Sequence, residues 1–150
     1  MSGFIVVGID GSDGSERALE WAAAEAHTRN ASLKLVTAWH LPPMVYGGMG
    51  WTGIDPGVIT ELREFTEKRL EETCKKHSES LDGLDVERLV SEDAAASALL
   101  DAAEGADLLV VGTRGHGGFS GLLLGSVSQQ CAHHSPCPIV IVPSTQPAGT

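Results

Sequence analysis

A glycine-rich stretch from Gly112 to Ser128 contains residue types that can hold a phosphate. Glycine has no Cβ atom, so its backbone approaches phosphate oxygens closely and adopts positive φ angles, and successive N–H groups can converge on one anion. Near its end lies Gly125-Ser126, where a helix is predicted to begin and to offer free N–H groups and a hydroxyl. Glycine-rich turns are often only turns, so this pattern by itself is a weak signal.

The charges around this stretch favour an anionic ligand. After Arg88 the only lysine or arginine is Arg114, and after Asp107 the chain contains no aspartate or glutamate. We therefore expect Arg114 to pair with a phosphate, with His116 as a further polar group beside it. The alternative interpretation, that the segment lacks charges because it is buried, remains open at this point.

Alternating strands and helices must position these residues. Short apolar runs predict strands over 4–9, 33–39, 84–90, 108–111 and 138–142, the third of them at a sheet edge because charged and apolar residues alternate. Helical spacing predicts a helix over about 15–30, with Ser12 or Ser15 as its N-cap. It also predicts helices over about 56–74, after a cap at 91–93, and over 126–134. This order predicts an α/β domain in which helices cover both faces of a parallel sheet, in three layers.

The predicted topology places a ligand site between two loops. Open parallel sheets bind ligands beyond the carboxyl ends of their strands, where the strand order reverses. The loops after the first and fourth strands are residues 10–15 and 112–125. We expect Asp10 to contact the ligand there, whereas the competing interpretation is a cap of the following turn. Trp39 is expected in the core, and Tyr46 and Trp51 either stack on a base or pack the loop.

Missing motifs exclude several classes of protein. There is no GxxxxGK[ST] sequence, and in the glycine-rich stretch GxGxxG fails because Ser120 stands where its last glycine would be. A receiver domain would need paired acids after the first strand and a late lysine, but the last lysine is Lys76. No metal site is expected from Cys131, His133, His134 and Cys137, which a helix end and a proline separate.

Composition narrows the class further. A chain of 150 residues fits one domain, and its net charge of −10 argues against nucleic acid and anionic membrane as partners. No apolar run approaches the roughly 18 residues of a membrane span. The amino terminus has no basic leader, and the three cysteines lack CxxC spacing, so we expect a cytoplasmic protein with reduced thiols.

The spacing Gly112-x2-Gly115-x9-Gly125-Ser126 resembles the ATP-binding motif of universal stress proteins, and the segment 10–15 resembles their amino-terminal turn. With the final strand, the resemblance covers nearly the whole chain. The length of the chain predicts one domain over 1–150, and the Pro, Thr and Gly residues at its end predict a flexible tail from about 144. The resemblance implies a five-stranded parallel sheet of order 3-2-1-4-5. It also implies bound ATP, AMP or another adenine nucleotide, with Mg²⁺ carried by the phosphates.

The resemblance also assigns residues to the ligand. It places Asp10 and Ala38 near the adenosine, with backbone groups of Gly8, Ile9 and Val111 beside it. The residues implied to hold ribose and phosphates are Gly112, Gly115, Gly125, Ser126, Val127 and Ser128. A homodimer is implied through the last strand, which comprises Pro138, Ile139, Val140, Ile141 and Val142.

The predicted nucleotide site is consistent with two functions. The first is a binding module that regulates a stress response, and the second is a slow ATP hydrolase or phosphotransferase. Hydrolysis would need a base near the γ-phosphate, for which Asp10, Asp13 and His116 are the candidates. The chain lacks a Ser-His-Asp pattern and any lysine in these loops, so the binding module is favoured. A flavin carrier would share the fold but would need a Ser/Thr-rich loop after the first strand.

Overall fold

A computed structural model describes residues 3–39, 55–113 and 124–144. Within these ranges strands and helices alternate as predicted, except that a short unpredicted helix, Ser78–Leu81, follows the second long helix. In chain order they are β1 (Phe4–Gly8), α1 (Asp13–Arg29), β2 (Ser32–Trp39), α2 (Pro56–Lys76), α3 (Ser78–Leu81), β3 (Val86–Glu92), α4 (Ala95–Ala102), β4 (Leu108–Gly112), α5 (Ser126–His134) and β5 (Ile139–Val142). The expected tail beyond 144 lies outside the described residues.

The strands form one parallel sheet in the order β3-β2-β1-β4-β5, which confirms the predicted fold class. Val7 of β1 lies between Leu35 of β2 and Val110 of β4. The chain leaves β1 towards one edge of the sheet and later returns to its other side as β4. The carboxyl ends of β1 and β4 are therefore adjacent at the point where the strand order reverses.

The core consists of two layers of side chains, one on each face of the sheet. On one face Ile5 and Val7 pack with Leu19 of α1 and Leu70 of α2. On the other face a second cluster joins β1 and β4 to α4 and α5 through Val6, Leu99, Leu109 and Cys131. Neighbouring residues of β1 thus point into different layers, as the pleat of a strand buried on both faces requires. Trp39 is buried, as predicted.

The ends of α1 follow from its sequence. Of the two predicted caps, Ser12 is the N-cap: its hydroxyl accepts a hydrogen bond from the Ser15 N–H at 3.2 Å. Ser15 lies inside the helix, and its own hydroxyl donates to the Ser12 carbonyl at 3.0 Å. At the other end Asn30 takes a left-handed conformation, with φ of 56°, that ends the helix.

The predicted cap of the third long helix at 91–93 is wrong. Ser91 and Glu92 belong to β3, where they pair with Ala38 and Trp39 of β2. Extending β3 satisfies backbone groups of β2 that would otherwise lack partners. The N-cap of α4 is instead Ala94, and the Asp93 carboxylate accepts a hydrogen bond from the Ala94 N–H at 2.7 Å.

A polar cluster joins the end of α2 to α1. Lys76 Nζ lies 2.7 Å from Glu16 Oε1, and His77 Nε2 lies 3.1 Å from the same oxygen. His77 Nδ1 lies 3.0 Å from Glu20 Oε2. The hydrogen bond from Lys76 lowers the pKa of Glu16, and the bond from His77 lowers it further, although partial burial opposes both effects.

This cluster predicts a pH-dependent contribution to stability. Because folding lowers the pKa of Glu16, its contribution is present above the unfolded value of about 4.3 and is lost as pH falls through the folded value. Glu16→Gln should therefore lower the free energy of unfolding slightly at pH 7 and leave it nearly unchanged at pH 3. Urea unfolding at both pH values measures this difference. Glu104→Gln, at an exposed position, is the control. If Glu16→Gln lowered the free energy of unfolding equally at both pH values, this interpretation would be contradicted.

Candidate functional site

A cavity of about 290 Å³ lies at the carboxyl ends of β1, β2 and β4, where the topology predicts a ligand. Its size is close to the lower end of the range typical of small-molecule sites, which begins at about 300 Å³. The lining residues are Gly8, Ile9, Asp10, Ser12, Ser15, Val36, Ala38, Arg69, Ala95, Leu99, Val111, Gly112, Gly125, Ser126, Val127 and Ser128.

The structure brings most of the predicted site residues to this one cavity. Those that line it are Gly8, Ile9, Asp10, Ala38, Val111, Gly112, Gly125, Ser126, Val127 and Ser128. Arg114, Gly115 and His116 lie outside the described residues, as do Tyr46 and Trp51. The cavity therefore joins both predicted loops, and the contacts of Arg114, Gly115 and His116 stay predictions.

Close backbone packing shapes the floor of the cavity at Gly112. A Cβ atom at Gly112 would lie 2.9 Å from the carbonyl oxygen of Gly14 and 3.0 Å from its carbonyl carbon. The first turn of α1 therefore packs directly on the end of β4. At Gly8 the same added atom would meet only the side chain of Leu99, at 3.0 Å and 3.2 Å from its methyl carbons. Gly112 thus has a strict steric requirement, whereas Gly8 has a softer one.

Asp10 lines the cavity and also organises the turn that leads into α1. Its Oδ1 accepts hydrogen bonds from the Ser12 N–H at 2.9 Å and from the Ser12 hydroxyl at 2.5 Å. The Asp10 N–H donates to the Ser15 hydroxyl at 3.3 Å. Between them Gly11 has a φ of 83°, in the left-handed region that favours glycine. Asp10 therefore caps this turn and also lines the cavity, and its contact with a ligand stays a prediction.

The first-turn N–H groups of α5 lie beside the same cavity. The first hydrogen bond within the helix is from the Gln129 N–H to the Gly125 carbonyl, at 3.0 Å. The N–H groups of Ser126, Val127 and Ser128 consequently have no partner within the helix. The helix dipole adds about half an elementary charge of positive potential here. This end of α5 is suited to an anion.

Hydrogen bonds hold the amino end of α5 against the end of β4. The Gly125 N–H donates to the Thr113 carbonyl at 2.6 Å. The buried Ser128 hydroxyl lies 2.7 Å from the same oxygen and 3.1 Å from the Gly125 carbonyl. Ser126, in contrast, is exposed. Ser128 therefore has a structural role in this structure, and the Ser126 hydroxyl is available to a ligand.

The cavity contains one cation that the sequence analysis missed. Arg69 lies on α2 and lines the cavity. In the sequence it looks like one of several charged residues on a surface helix. The available signal is its position beside the buried residues Thr66, Leu70 and Thr73 of the same helix. Such a position lies at the boundary between the packed face and solvent, where a long side chain can reach a neighbouring loop.

Two of the three cysteines are buried in surroundings that disfavour the reactive thiolate. Burial raises the pKa of the Cys131 thiol to about 11 and also raises that of Cys74.

Within the described ranges no group of three or more His, Cys, Asp or Glu side chains could hold a metal ion. Among the helices of those ranges, none is both long and apolar enough to cross a membrane.

Comparison with known proteins places this geometry in a family. A model of the universal stress protein family matches residues 1–143. A universal stress protein of Mycobacterium tuberculosis is 34% identical over 137 residues, which are 91% of this chain and 44% of the relative. A universal stress protein of Thermus aquaticus is 36% identical over 143 residues, which are 92% of this chain and 96% of the relative.

Solved structures match over a similar length. The crystal structure of a universal stress protein in complex with cAMP is 31% identical to this chain and has a TM-score of 0.66. The match covers 94% of this chain and 96% of that protein. The mycobacterial relative is more than twice as long as the matched segment, so the chain spans about 44% of its length.

Proposed function

The chain belongs to the universal stress protein family, and on that premise we propose that its cavity binds an adenine nucleotide, with ATP as the expected ligand. The observation that carries the proposal is the meeting of the Asp10 turn and the free N–H groups of α5 at one cavity. The related protein whose structure contains cAMP supports an adenine nucleotide as the class of ligand.

The cavity offers separate surroundings for the two parts of a nucleotide. Val36, Ala95 and Leu99 provide an apolar wall against which an adenine ring would pack, beside Ala38 and the end of β1. The amino end of α5 faces the phosphates, with the Ser126 hydroxyl as an additional donor. In this proposal Arg114, Gly115 and His116 complete the phosphate side, and Mg²⁺ arrives with the phosphates.

We also propose a homodimer formed through residues 138–142. β5 is an edge strand of the sheet, and Ile139, Val140 and Ile141 are partly exposed. An apolar edge strand has unpaired backbone groups and is suited to packing against a second copy.

We propose in addition that residues 1–150 form one domain whose nucleotide occupancy regulates a stress response. The free cysteines support a reducing compartment such as the cytoplasm.

The alternative function, slow ATP hydrolysis or phosphotransfer, has less support. A base must reach the attacking water or hydroxyl, but one oxygen of Asp10 already accepts two hydrogen bonds from Ser12. Asp13 is exposed at the start of α1 and does not line the cavity. His116 lies outside the described residues. Binding without efficient turnover is therefore the proposal.

Mass spectrometry of the nucleotide released from freshly purified, denatured protein tests the proposal. We expect about one adenine nucleotide per chain and ATP turnover no faster than that of Ser126→Ala. A hundredfold excess of ligand over its Kd should also stabilise the fold by about 2.7 kcal/mol. The absence of nucleotide, together with no thermal shift on adding Mg-ATP, would refute binding. Multiple-turnover hydrolysis that is lost in Asp10→Ala would favour the enzyme instead.

A further inference from the structure

We propose that Arg69 binds the phosphates of the ligand. This cation comes from α2, whereas Arg114 belongs to the glycine-rich segment. The inference rests on the proposed nucleotide binding and adds to it a source of selectivity. Arg69 would make the cavity prefer phosphorylated nucleosides over the nucleoside alone.

The position of the Arg69 side chain is the first observation. A Cβ atom built at Gly11 would lie 2.9 Å from Arg69 Cδ, 3.2 Å from its Nε and 3.6 Å from its Cζ. The side chain therefore lies directly against the turn between Asp10 and α1, and Gly11 leaves the space for it. This contact brings the guanidinium to the wall of the cavity next to Asp10.

The second observation is that the guanidinium is held from the other side as well. Its carbon lies 5.7 Å from the centre of the Phe65 ring, one helical turn earlier on α2. A cation over an aromatic ring is attracted by the ring electrons, and residues four apart on a helix are neighbours. Phe65 and Gly11 together restrict the side chain, so less conformational entropy is lost when it binds a phosphate.

The third observation concerns charge. Several other cations of the described residues have a carboxylate partner, as Arg29 has in Glu25 and Lys76 has in Glu16. In the same ranges no carboxylate lies within 4 Å of the Arg69 guanidinium. Arg69 is also the one lysine or arginine among the described residues that line the cavity. Its donors therefore remain available to an anionic ligand.

A cation at this position favours a ligand that carries phosphates. The chain has a net charge of −10, and the Asp10 carboxylate lines the same cavity. The net negative charge of the chain disfavours an anionic ligand, and the partial charge at the amino end of α5 offsets only about half an elementary charge. The planar guanidinium offers parallel N–H donors that match phosphate oxygens. An adenosine without phosphates would gain nothing from it.

Calorimetric titration with ATP and with adenosine tests this role in the wild type, Arg69→Gln and Lys68→Gln. Lys68 is the exposed neighbour on α2 that does not line the cavity, so its variant removes the same charge elsewhere. We expect Arg69→Gln to weaken ATP binding about tenfold and adenosine binding less than twofold. Lys68→Gln should leave both affinities close to those of the wild type, and Arg69→Lys should recover part of the ATP affinity.

Two results would overturn the inference while leaving nucleotide binding intact. One is an Arg69→Gln protein that binds ATP as tightly as the wild type. The other is an equal loss for ATP and adenosine, which would make Arg69 a structural residue of the turn. A wild-type protein that binds neither ligand would instead refute the proposed function, and the inference would fall with it. Urea unfolding of each variant verifies that the fold is unchanged.

Discussion

Gly112→Ala is expected to lower the free energy of unfolding by about 1–3 kcal/mol and to remove most of the nucleotide affinity. The added methyl group would lie 2.9 Å from the carbonyl oxygen of Gly14, a backbone atom that cannot rotate away. The end of β4 and the first turn of α1 would have to separate. Because Asp10 and Ser12 lie on one side of this contact and Gly125 on the other, the two halves of the cavity would move apart.

Gly8→Ala is the matched control for this prediction. Gly8 lines the same cavity, but the atoms nearest to its added methyl group would belong to the Leu99 side chain, which can adjust its rotamer. Its effect should therefore be clearly smaller. Urea unfolding measures the stability of both variants, and calorimetric titration measures their affinity for ATP. Equal stability of Gly112→Ala and the wild type would show that the backbone contact is not as tight as described.

The second large effect separates two serines at the start of α5. Ser126→Ala should weaken ATP binding by about 10- to 100-fold, equivalent to about 1.5–3 kcal/mol for a hydrogen bond to a charged group, with little change in stability. The Ser126 side chain is exposed in the structure, so its removal leaves the fold intact. The hydroxyl is free to donate to a phosphate at the helix terminus.

Ser128→Ala should act in the opposite way. The Ser128 hydroxyl is buried and donates towards the Thr113 and Gly125 carbonyls, so its loss should cost about 0.5–1.5 kcal/mol of stability. Both carbonyls still accept a backbone N–H, which keeps this cost moderate. Thermal unfolding and ATP titration of the two variants distinguish the roles. A Ser126→Ala protein that binds ATP normally would remove this hydroxyl from the proposed phosphate site.

Local sequence signals predicted most of the elements. The apolar run of β1, the Ser12 cap of α1 and the bounds of α5 at Ser126 and His134 are all confirmed. These features depend on neighbouring residues, which a sequence displays directly. The strand order, in contrast, came from the family resemblance, because hydrophobic periodicity does not say which strands are neighbours.

Features that depend on packing between distant segments were not predictable in this way. The short helix Ser78–Leu81 is too brief to show a period. The extension of β3 to Glu92 is fixed by pairing with β2 rather than by its own residues. Arg69 reaches the cavity only because α2 packs beside the turn at Gly11, and no local motif marks that contact. The sequence therefore predicted the site residues at the ends of the strands, and it did not predict Arg69, which α2 contributes to the cavity.

Amide NMR during titration with Mg-ATP is the decisive test of nucleotide binding between β1 and β4, because it reports both binding and location. We expect shifts that saturate at one nucleotide per chain and are largest in residues 8–15, 112–113 and 125–128. A second, smaller cavity of about 140 Å³ lies near Phe4, Lys34 and Glu87, at the amino ends of the strands, and should show none. Shifts confined to that region, or no saturable shifts at all, would contradict nucleotide binding between β1 and β4.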